Sequence, residues 1–193
     1  VPANVADYDI VPRDELAKAT LLTTPHEVLA VFEKPHSGNA TDVESLARAG
    51  ICLALDDIQD PGNVGTIVRI DTVLCSKGTA DVYSPKVLQA TMGALVRVNV
   101  HYCDLPEVLG GLPGDVPVYG TFLKGNNIYS EKLSQNGVIV IGNEGNGISA
   151  PVEETVTRRL FIPPFPRKGG AVESLNASVA AAIICSEFRR GIF

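Results

Sequence analysis

The sequence has no long apolar run and no basic leader, and these absences argue against a membrane-spanning protein and a signal-directed secreted one. No apolar run among the 193 residues approaches the ~20 residues of a membrane-spanning helix. The first residues, VPANVADYDIVPRDE, lack the basic segment and following apolar segment of a signal peptide. They also lack an initiator methionine, so we expect the chain to begin inside a longer protein.

Cysteine is scarce, and none of the four residues forms a CxxC pair or has a histidine at metal-ligand spacing. Three of them, Cys52, Cys75 and Cys185, lie in apolar runs typical of strands and helices. We expect small buried apolar side chains in a reducing cytoplasm rather than metal ligands. The sequence therefore predicts a cytoplasmic protein without a metal site.

Basic residues are outnumbered, because 16 lysines and arginines stand against 22 aspartates and glutamates, for a formal net charge of −6. An indiscriminate nucleic-acid binder usually has a basic surplus, so this balance argues against one. A local basic patch stays possible at Arg158-Arg159, Arg167-Lys168 or Arg189-Arg190, although each pair alone is typical of a solvated face.

What the sequence does contain is enough apolar side chain for one core, since 45% of it is hydrophobic. From residue 50 onward apolar strands alternate with helical patterns, which predicts an α/β fold with a mostly parallel sheet and helices on both faces. The predicted strands are ICLAL, DTVLCS, RVNVHYC, VPVYGTF, GVIVIG and RRLFIP. The predicted helices are KVLQATMGALV, with Ser84 as N-cap and Pro85 at its first position, and SLNASVAAAIICSEFRR.

The first 40 residues differ from this pattern. A short helix over Arg13 to Ala19 and the apolar run EVLAVFE precede PHSGNATD, whose Pro, Gly, Ser and Asn predict a linker. This part is too short for an independent domain. We therefore divide the chain into residues 1–40, the remnant of an N-terminal domain plus linker, and residues 41–193, one α/β domain.

Three loops carry the candidate functional residues, and each follows a predicted strand. They are DPGNVG (60–65), GNEGNG (142–147) and the segment from IPPFPRKGG into VESLN. Ligands of open α/β sheets bind beyond the carboxyl ends of the strands, and glycine there lets the backbone approach a ligand closely. The three loops could therefore line one pocket.

Each loop also has a plainer interpretation. DPG and GNG are ordinary turn sequences, Glu144 is compatible with a solvated turn, and Ser174 is compatible with an N-cap whose helix holds Asn176 in its first turn. Neither GxGxxG nor the P-loop pattern GxxxxGK is present, which argues against NAD and ATP as ligands.

Taken in order, DDIQDPGNVGTIVR, VIVIGNEGNGIS and IPPF…VESLNASVAAAI resemble the three signature motifs of the SpoU/TrmH family of RNA ribose 2′-O-methyltransferases, of the SPOUT class. YSPKVLQATMGALVRV is similar to an intervening family segment, and the resemblance covers most of residues 50 to 190. It implies a C-terminal trefoil knot, S-adenosylmethionine as cofactor, RNA as substrate and no metal. It also implies a homodimer in which the partner subunit completes each active site.

The resemblance assigns site residues by position. It implies a catalytic set of Asn63, Arg69, Glu144, Ser174 and Asn176. It implies cofactor contacts at Thr121, Gly142, Asn143, Gly147, Ile162 and Leu175. The proline and glycines of the first loop would then shape a tight turn that presents Asn63, and the following helix would direct Arg69 into the site.

The implied reaction is an in-line methyl transfer from a sulfonium to a ribose hydroxyl, so the hydroxyl oxygen must be held close to the methyl carbon. Family accounts let the counterpart of Arg69 activate the hydroxyl, sometimes as the base. A guanidinium stays protonated with a pKa above ~12, so we favour stabilisation of the developing alkoxide charge as its role. A phosphate oxygen of the RNA or Glu144 would take the proton, while Ser174 and Asn176 would hold Asn63, Glu144 and the loops in place.

The substrate stays open between several alternatives. TTPHEVLAVFEKP resembles the tail of a small RNA-binding domain that precedes the catalytic domain in larger family members. This favours ribosomal RNA, with a guanosine of the large subunit as target, over transfer RNA. A non-catalytic RNA-binding relative and an unrelated α/β binder of small molecules are further alternatives, and the intact catalytic set argues against the first of these.

The chain departs from the family pattern in two places. After Arg69 the sequence runs directly into the DTVLC strand, where the family helix continues, so we expect either residues missing at the junction of residues 70 and 71 or a truncated helix. Between Pro163 and Val172 the chain carries PFPRKGGA, which is longer than in many relatives. Arg167 and Lys168 would there contact an RNA phosphate or lie in a solvated loop.

Overall fold

The computed structural model describes residues 8–22, 24–34, 42–69, 72–164 and 174–190. The chain divides into two units, Val1–Ser37 and Gly38–Phe193. The described residues of the first unit contain one helix, α1 (Arg13–Ala19), with the bounds that the sequence predicts. Large apolar side chains of this unit are exposed, and Ile10, Val31 and Phe32 are each at least 84% accessible.

Strands and helices alternate through the described part of the second unit. Its strands are β1 (Ile51–Asp56), β2 (Val73–Cys75), β3 (Val100–Tyr102), β4 (Val118–Asn127), β5 (Gly137–Gly142) and β6 (Arg158–Phe161). Its helices are α2 (Val43–Ala49), α3 (Pro61–Ile67), α4 (Pro85–Thr91), α5 (Leu105–Gly110), α6 (Ala150–Glu153) and α7 (Ala177–Arg189). Among the described residues, no helix is both long and apolar enough to span a membrane.

The six strands form one sheet in the order β3-β2-β1-β5-β4-β6, and every strand pairing of this sheet is parallel. The chain leaves β1 toward β2 on one side, and it leaves β5 toward β6 on the other. The neighbouring strands β1 and β5 therefore mark the switch point of the sheet, a place where open α/β folds commonly bind their ligands. The predicted parallel α/β sheet is confirmed.

Successive strand residues face opposite sides of the sheet, and each side is covered by helices. Leu53 and Leu55 of β1 pack with residues of α3, α4 and α7 in one apolar cluster. Cys52 and Ala54 pack with residues of α2, α5 and α6 in the other. Because both faces are buried, the central strands consist of nearly continuous apolar residues. The predicted helices on both faces are confirmed.

Two predicted helices have different bounds in the structure. The helix predicted over KVLQATMGALV ends at Thr91, because Met92 and Gly93 adopt left-handed backbone conformations with φ of 51° and 80°, and a 3₁₀ turn over Ala94–Arg97 follows. The last helix begins at Ala177 with Asn176 as its N-cap. The alternative with Ser174 as N-cap is therefore wrong, because the Asn176 side chain is the one that accepts from the first helical N–H groups.

The connection from α3 to β2 is short. Helix α3 ends at Ile67 and β2 begins at Val73. The predicted break at the junction of residues 70 and 71 lies outside the described residues, and so do Arg167 and Lys168. The 16 residues between β1 and β2 in the sequence are enough for a parallel crossover, which needs a dozen or more.

Candidate active site

The first loop turns directly from β1 into α3. The side chain of Asp60 caps the helix by accepting a hydrogen bond from the Asn63 N–H at 2.7 Å, and Pro61 occupies the first helical turn. Asn63 is only 7% exposed. A Cβ at Gly65 would lie 2.4 Å from the Ala90 Cβ of α4, so only glycine permits this helix packing. The proline and glycines therefore hold Asn63 in a buried position at the end of β1.

Asn63 joins the second and third loops through its side-chain amide. Its Nδ2 donates to Oε1 of Glu144, and its Oδ1 accepts from Nδ2 of Asn176 at 2.9 Å. The Oδ1 of Asn176 is occupied by the N–H groups of Ser178 and Val179 at 3.0 and 3.3 Å, which orients the amide. Each donor thus meets an acceptor along the chain Asn176–Asn63–Glu144, and Glu144 at its end takes part as an acceptor.

The second loop is a tight turn that presents Glu144. Asn143 and Gly147 exchange two backbone hydrogen bonds, of 3.0 and 2.8 Å, and Gly147 has a φ of +72°. The Asn143 side chain accepts from the N–H groups of Gly145 at 2.8 Å and Asn146 at 3.1 Å. A Cβ at Gly142 would lie 2.4 Å from the carbonyl carbon of Gly147, so the turn closes against the end of β5.

The third loop reaches the same place from the start of α7. The Ser174 Oγ lies 3.5 Å from the backbone oxygen of Glu144, in position to donate a long hydrogen bond. Four of the five predicted catalytic residues are therefore within one hydrogen-bonded group: Asn63, Glu144, Ser174 and Asn176. They come from three separate loops, as the predicted pocket requires.

Arg69 is not part of this group. It follows the end of α3 by two residues and is exposed. With the other described residues it makes no hydrogen bond or ion pair. The described part of the chain therefore does not hold its guanidinium against Glu144.

A cleft of about 700 Å³ lies beside the polar group. Five of the six predicted cofactor contacts line it: Thr121, Asn143, Gly147, Ile162 and Leu175. Of the predicted catalytic residues, Glu144 and Ser174 also line it. The lining does not include Gly142, Asn63, Arg69 or Asn176, so the hydrogen-bonded group contacts the cleft through Glu144 and Ser174.

A further part of the cleft wall contains residues that were not predicted from the sequence. Strand β4 continues to Asn127, but its pairing with β6 shifts register between Thr121 and Asn126. The intervening bulge contributes Phe122, Leu123 and Lys124 to the cleft lining. The guanidinium carbon of Arg159 lies 3.5 Å from the Phe122 ring centroid, and Arg159 forms an ion pair with Glu153. The run FLKG after an apolar strand is the signal that could have revealed this wall.

The residues of the cleft fit S-adenosylmethionine. A volume of about 700 Å³ lies within the ~300–1,000 Å³ typical of small-molecule sites. Apolar side chains of Leu160, Ile162, Leu175 and Ile184 supply the contact surface for an adenosine, and the backbone of residues 143–147 supplies polar groups. In the described part of the chain, no group of three or more His, Cys, Asp or Glu residues could hold a metal ion.

A cleft lined by residues of β4 and β6 and by the turn after β5, with an Asn–Glu–Asn hydrogen-bonded group beside it, is typical of the ligand site of an α/β enzyme. The sequence profile of the SpoU rRNA methylase family matches residues 50–186, and the chain belongs to this family. The match includes all three loops and every predicted site residue.

Individual relatives agree with this assignment. The chain is 34% identical over 188 residues to the 23S rRNA (guanosine(2553)-2′-O)-methyltransferase RlmP of Bacillus subtilis (strain 168), covering 93% of this chain and 71% of RlmP. It is similar to the structure of an RNA methyltransferase of the TrmH family from Porphyromonas gingivalis, with 38% identity and a TM-score of 0.68, covering 91% of this chain and 80% of that one. It is also similar to the SpoU methyltransferase AviRb from Streptomyces viridochromogenes in complex with AdoMet, with 26% identity and a TM-score of 0.63, covering 73% of this chain and 60% of AviRb.

These similarities confirm the predicted family, the predicted enzyme class and S-adenosylmethionine as the cofactor of the family. The roles of individual site residues stay predictions.

Proposed function

We propose that the chain transfers a methyl group from S-adenosylmethionine to a ribose 2′-hydroxyl of ribosomal RNA, at a guanosine of the large subunit. The observation that carries this proposal is the hydrogen-bonded chain Asn176–Asn63–Glu144, which joins three loops beside a cleft of about 700 Å³. The identity to RlmP, whose name specifies a guanosine of 23S rRNA, supports the substrate.

The cofactor would lie along the cleft residues Thr121, Asn143, Gly147, Ile162 and Leu175, and when bound it supplies an electrophilic methyl group on a sulfonium. The Thr121 hydroxyl donates to the Val140 backbone oxygen at 3.1 Å, so it can only accept from a ligand.

Two charged side chains act on the ribose hydroxyl in this proposal. Arg69 stays protonated and stabilises the negative charge that develops on the 2′-oxygen. Glu144, or a phosphate oxygen of the RNA, takes the hydroxyl proton. The contacts of Glu144 support its role, because Asn63 donates to one carboxylate oxygen and leaves the other without a partner among the described residues.

The assembly is also a proposal. A second copy of the chain would complete each site, and Leu88, Met92 and Val96 support a protein interface because all three large apolar side chains are exposed.

Residues 1–40 would belong to a small RNA-binding domain, which the exposed Val31 and Phe32 support. We further propose a C-terminal trefoil knot and a cytoplasmic location.

A methylation assay tests the proposed reaction. The purified chain is incubated with labelled S-adenosylmethionine and either large-subunit ribosomal RNA or bulk transfer RNA, and nucleosides are identified by mass spectrometry. We expect 2′-O-methylguanosine in the ribosomal RNA only. Methylation of transfer RNA alone, or of a base, would show that the proposed acceptor is wrong. Cofactor binding without any methyl transfer would favour a non-catalytic RNA-binding protein.

A matched pair of variants gives the control. Glu144→Gln removes the carboxylate in the cleft and is expected to lower kcat by about 10²-fold or more. Glu154→Gln makes the same change of charge at an exposed residue outside the cleft lining, and is expected to retain the activity of the unaltered chain.

A further inference from the structure

The two aspartates at the end of β1 are not used by the proposed reaction, yet both bind the loop that carries Glu144. Asp56 is 3% exposed, and its Oδ2 accepts from the Ser149 N–H at 2.7 Å. The backbone oxygen of Asp57 accepts from the Asn143 Nδ2 at 2.8 Å. The end of β1 therefore holds the loop near its start, at Asn143, and two residues past its last glycine, at Ser149.

The Asp57 backbone is unusual. Its φ is +54°, in the left-handed region that few residues other than glycine adopt. Aspartate tolerates this conformation when its side chain makes a local hydrogen bond. Here the Ser76 Oγ donates to the Asp57 Oδ1 at 2.8 Å and accepts from the Asp57 N–H at 2.9 Å. The Ser76 hydroxyl thus maintains the conformation that directs the Asp57 carbonyl toward Asn143.

Glycine at position 78 makes room for this arrangement. A Cβ there would lie 2.2 Å from the Asp57 Oδ1, so any larger residue displaces the carboxylate from Ser76. The displaced atom is the end of a side chain, and the backbone of residue 78 is compatible with alanine. Gly78→Ala therefore perturbs the Asp57 contact selectively and at little cost to the fold.

Resting on the proposed function, we propose that Asp56 and Asp57 form a two-point clamp that positions Glu144 for methyl transfer. The clamp acts through Asn143. One end of the Asn143 side chain is bound by Asp57, and the other end accepts the N–H groups of Gly145 and Asn146 that shape the turn. Asp57 is a positioning residue, since it acts on the reaction only through this turn.

Amide hydrogen exchange tests the clamp without reference to activity. We expect the Gly145 and Asn146 amides to exchange about tenfold faster in Asp57→Ala and Gly78→Ala than in the unaltered chain. Asp57→Asn keeps both a side-chain acceptor and tolerance of the left-handed backbone, so its exchange rates should match the unaltered chain. Gly50→Ala adds the same methyl group as Gly78→Ala at a position where a Cβ meets nothing within 4 Å, and serves as the matched control.

Steady-state kinetics test the positioning role. At saturating cofactor and RNA, Asp57→Ala should lower kcat about tenfold and leave the KM for RNA within about twofold, and Asp57→Asn should restore kcat. In an Asn143→Ala background, Asp57→Ala should cause no further loss, because the two act in series.

Two results would overturn the proposal: unchanged exchange at Gly145 and Asn146 in Asp57→Ala, or a full further loss of kcat on the Asn143→Ala background. An unaltered chain that transfers no methyl group counts against the proposed function instead, and the exchange pattern then still decides whether the clamp exists.

Discussion

Asn63 is the residue at which the three loops meet, and its amide orientation follows from its neighbours. The side-chain oxygen of Asn176 caps α7, so its Nδ2 is the group that faces Asn63. The Asn63 Oδ1 therefore accepts the hydrogen bond from Asn176. The Asn63 nitrogen is then directed at Glu144. A carboxylate has no donor and an apolar side chain has neither a donor nor an acceptor, so neither can replace the Asn63 amide here.

We expect the stability of Asn63→Asp to depend on pH. The introduced carboxyl faces Glu144 in a buried setting, and the repulsion raises the pKa of one of the two groups. The folded state then favours the protonated form, so the variant should be destabilised at pH 7.5 and regain stability as the pH falls toward 5. Thermal unfolding at both pH values measures this.

Asn63→Ala serves as the control for the pH effect. It removes the same hydrogen bonds without adding a charge, so its loss of stability, about 1–3 kcal/mol, should not change with pH any more than that of the unaltered chain does. An equal pH response in the two variants would contradict the proposed contact with Glu144.

The buried thiol of Cys75 is expected to make the stability of the fold depend on alkaline pH. Burial, and to a smaller degree the nearby Cys103, raises the pKa of the Cys75 thiol from its ordinary value of 9.0 to about 12. Below pH 9 the thiol is neutral in both states. Above it, the unfolded chain releases the proton while the folded chain retains it, so stability should fall between pH 9 and 12.

Comparison with Cys75→Ala isolates the contribution of this thiol. Denaturant unfolding at pH 8 and pH 10.5 should show a smaller alkaline loss of stability for the variant than for the unaltered chain. Equal losses would mean that other groups, such as Tyr102, account for the whole effect. The raised pKa also agrees with the predicted role of Cys75 as a buried apolar side chain rather than a reactive one.

The stability of helix α3 depends on its packing against other elements. A helix of seven residues is not stable in water by itself. Gly65 lets α3 approach α4 closely, and Val64 and Ile67 are buried in the cluster on that face. The helix that carries Asn63 is thus positioned by a contact with another element rather than by its own propensity.

Gly65→Ala is expected to separate the two helices. The added methyl group would lie 2.4 Å from Ala90 Cβ and 2.9 Å from the Val87 oxygen, which cannot be relieved by a side-chain rotation. We expect a loss of about 1–3 kcal/mol in unfolding free energy and a fall in methyl transfer, since Asn63 moves with the helix. Gly50→Ala is the control, because its Cβ meets nothing within 4 Å.

The strand order of the sheet brings the first and second loops of the site together. Strands β1 and β5 are neighbours, and Asp56 is paired with Gly142 at their ends. The loops that follow them therefore begin side by side. Helix α7 packs on the face of the sheet that contains Leu53 and Leu55, and its N-terminus lies at the edge of the sheet where these loops begin.

Cofactor binding should therefore stabilise the whole unit. With free S-adenosylmethionine at a hundredfold excess over its Kd, the gain is about 2.7 kcal/mol, or roughly 5–10 °C in Tm for a unit of this size. Differential scanning fluorimetry measures the shift, and methionine at the same concentration, which lacks the adenosine, should cause none. An absent shift would contradict the assignment of the cleft.

Much of this architecture could be predicted from local sequence. GVIVIG became β5 with its predicted bounds, and helix α1 did likewise. The end of helix α4 before Met92 could not be predicted, because Met92 carries no local signal for a left-handed backbone. The run FLKG marks the end of an apolar strand in the local sequence, but its place in the cleft wall follows from a register shift, which depends on the partner strand as well.

Apolar periodicity and turn residues are local properties of the chain, so the class of fold and the three loops could be predicted from the amino-acid sequence. Which atoms of those loops meet depends on how the chain packs in three dimensions. Asn63 binds Glu144 across 81 positions and Asn176 across 113, and such contacts depend on strand order and helix packing. The same reason explains why the clamp at Asp56 and Asp57 is visible only in the folded chain: its partners at residues 76, 143 and 149 are neighbours in space alone.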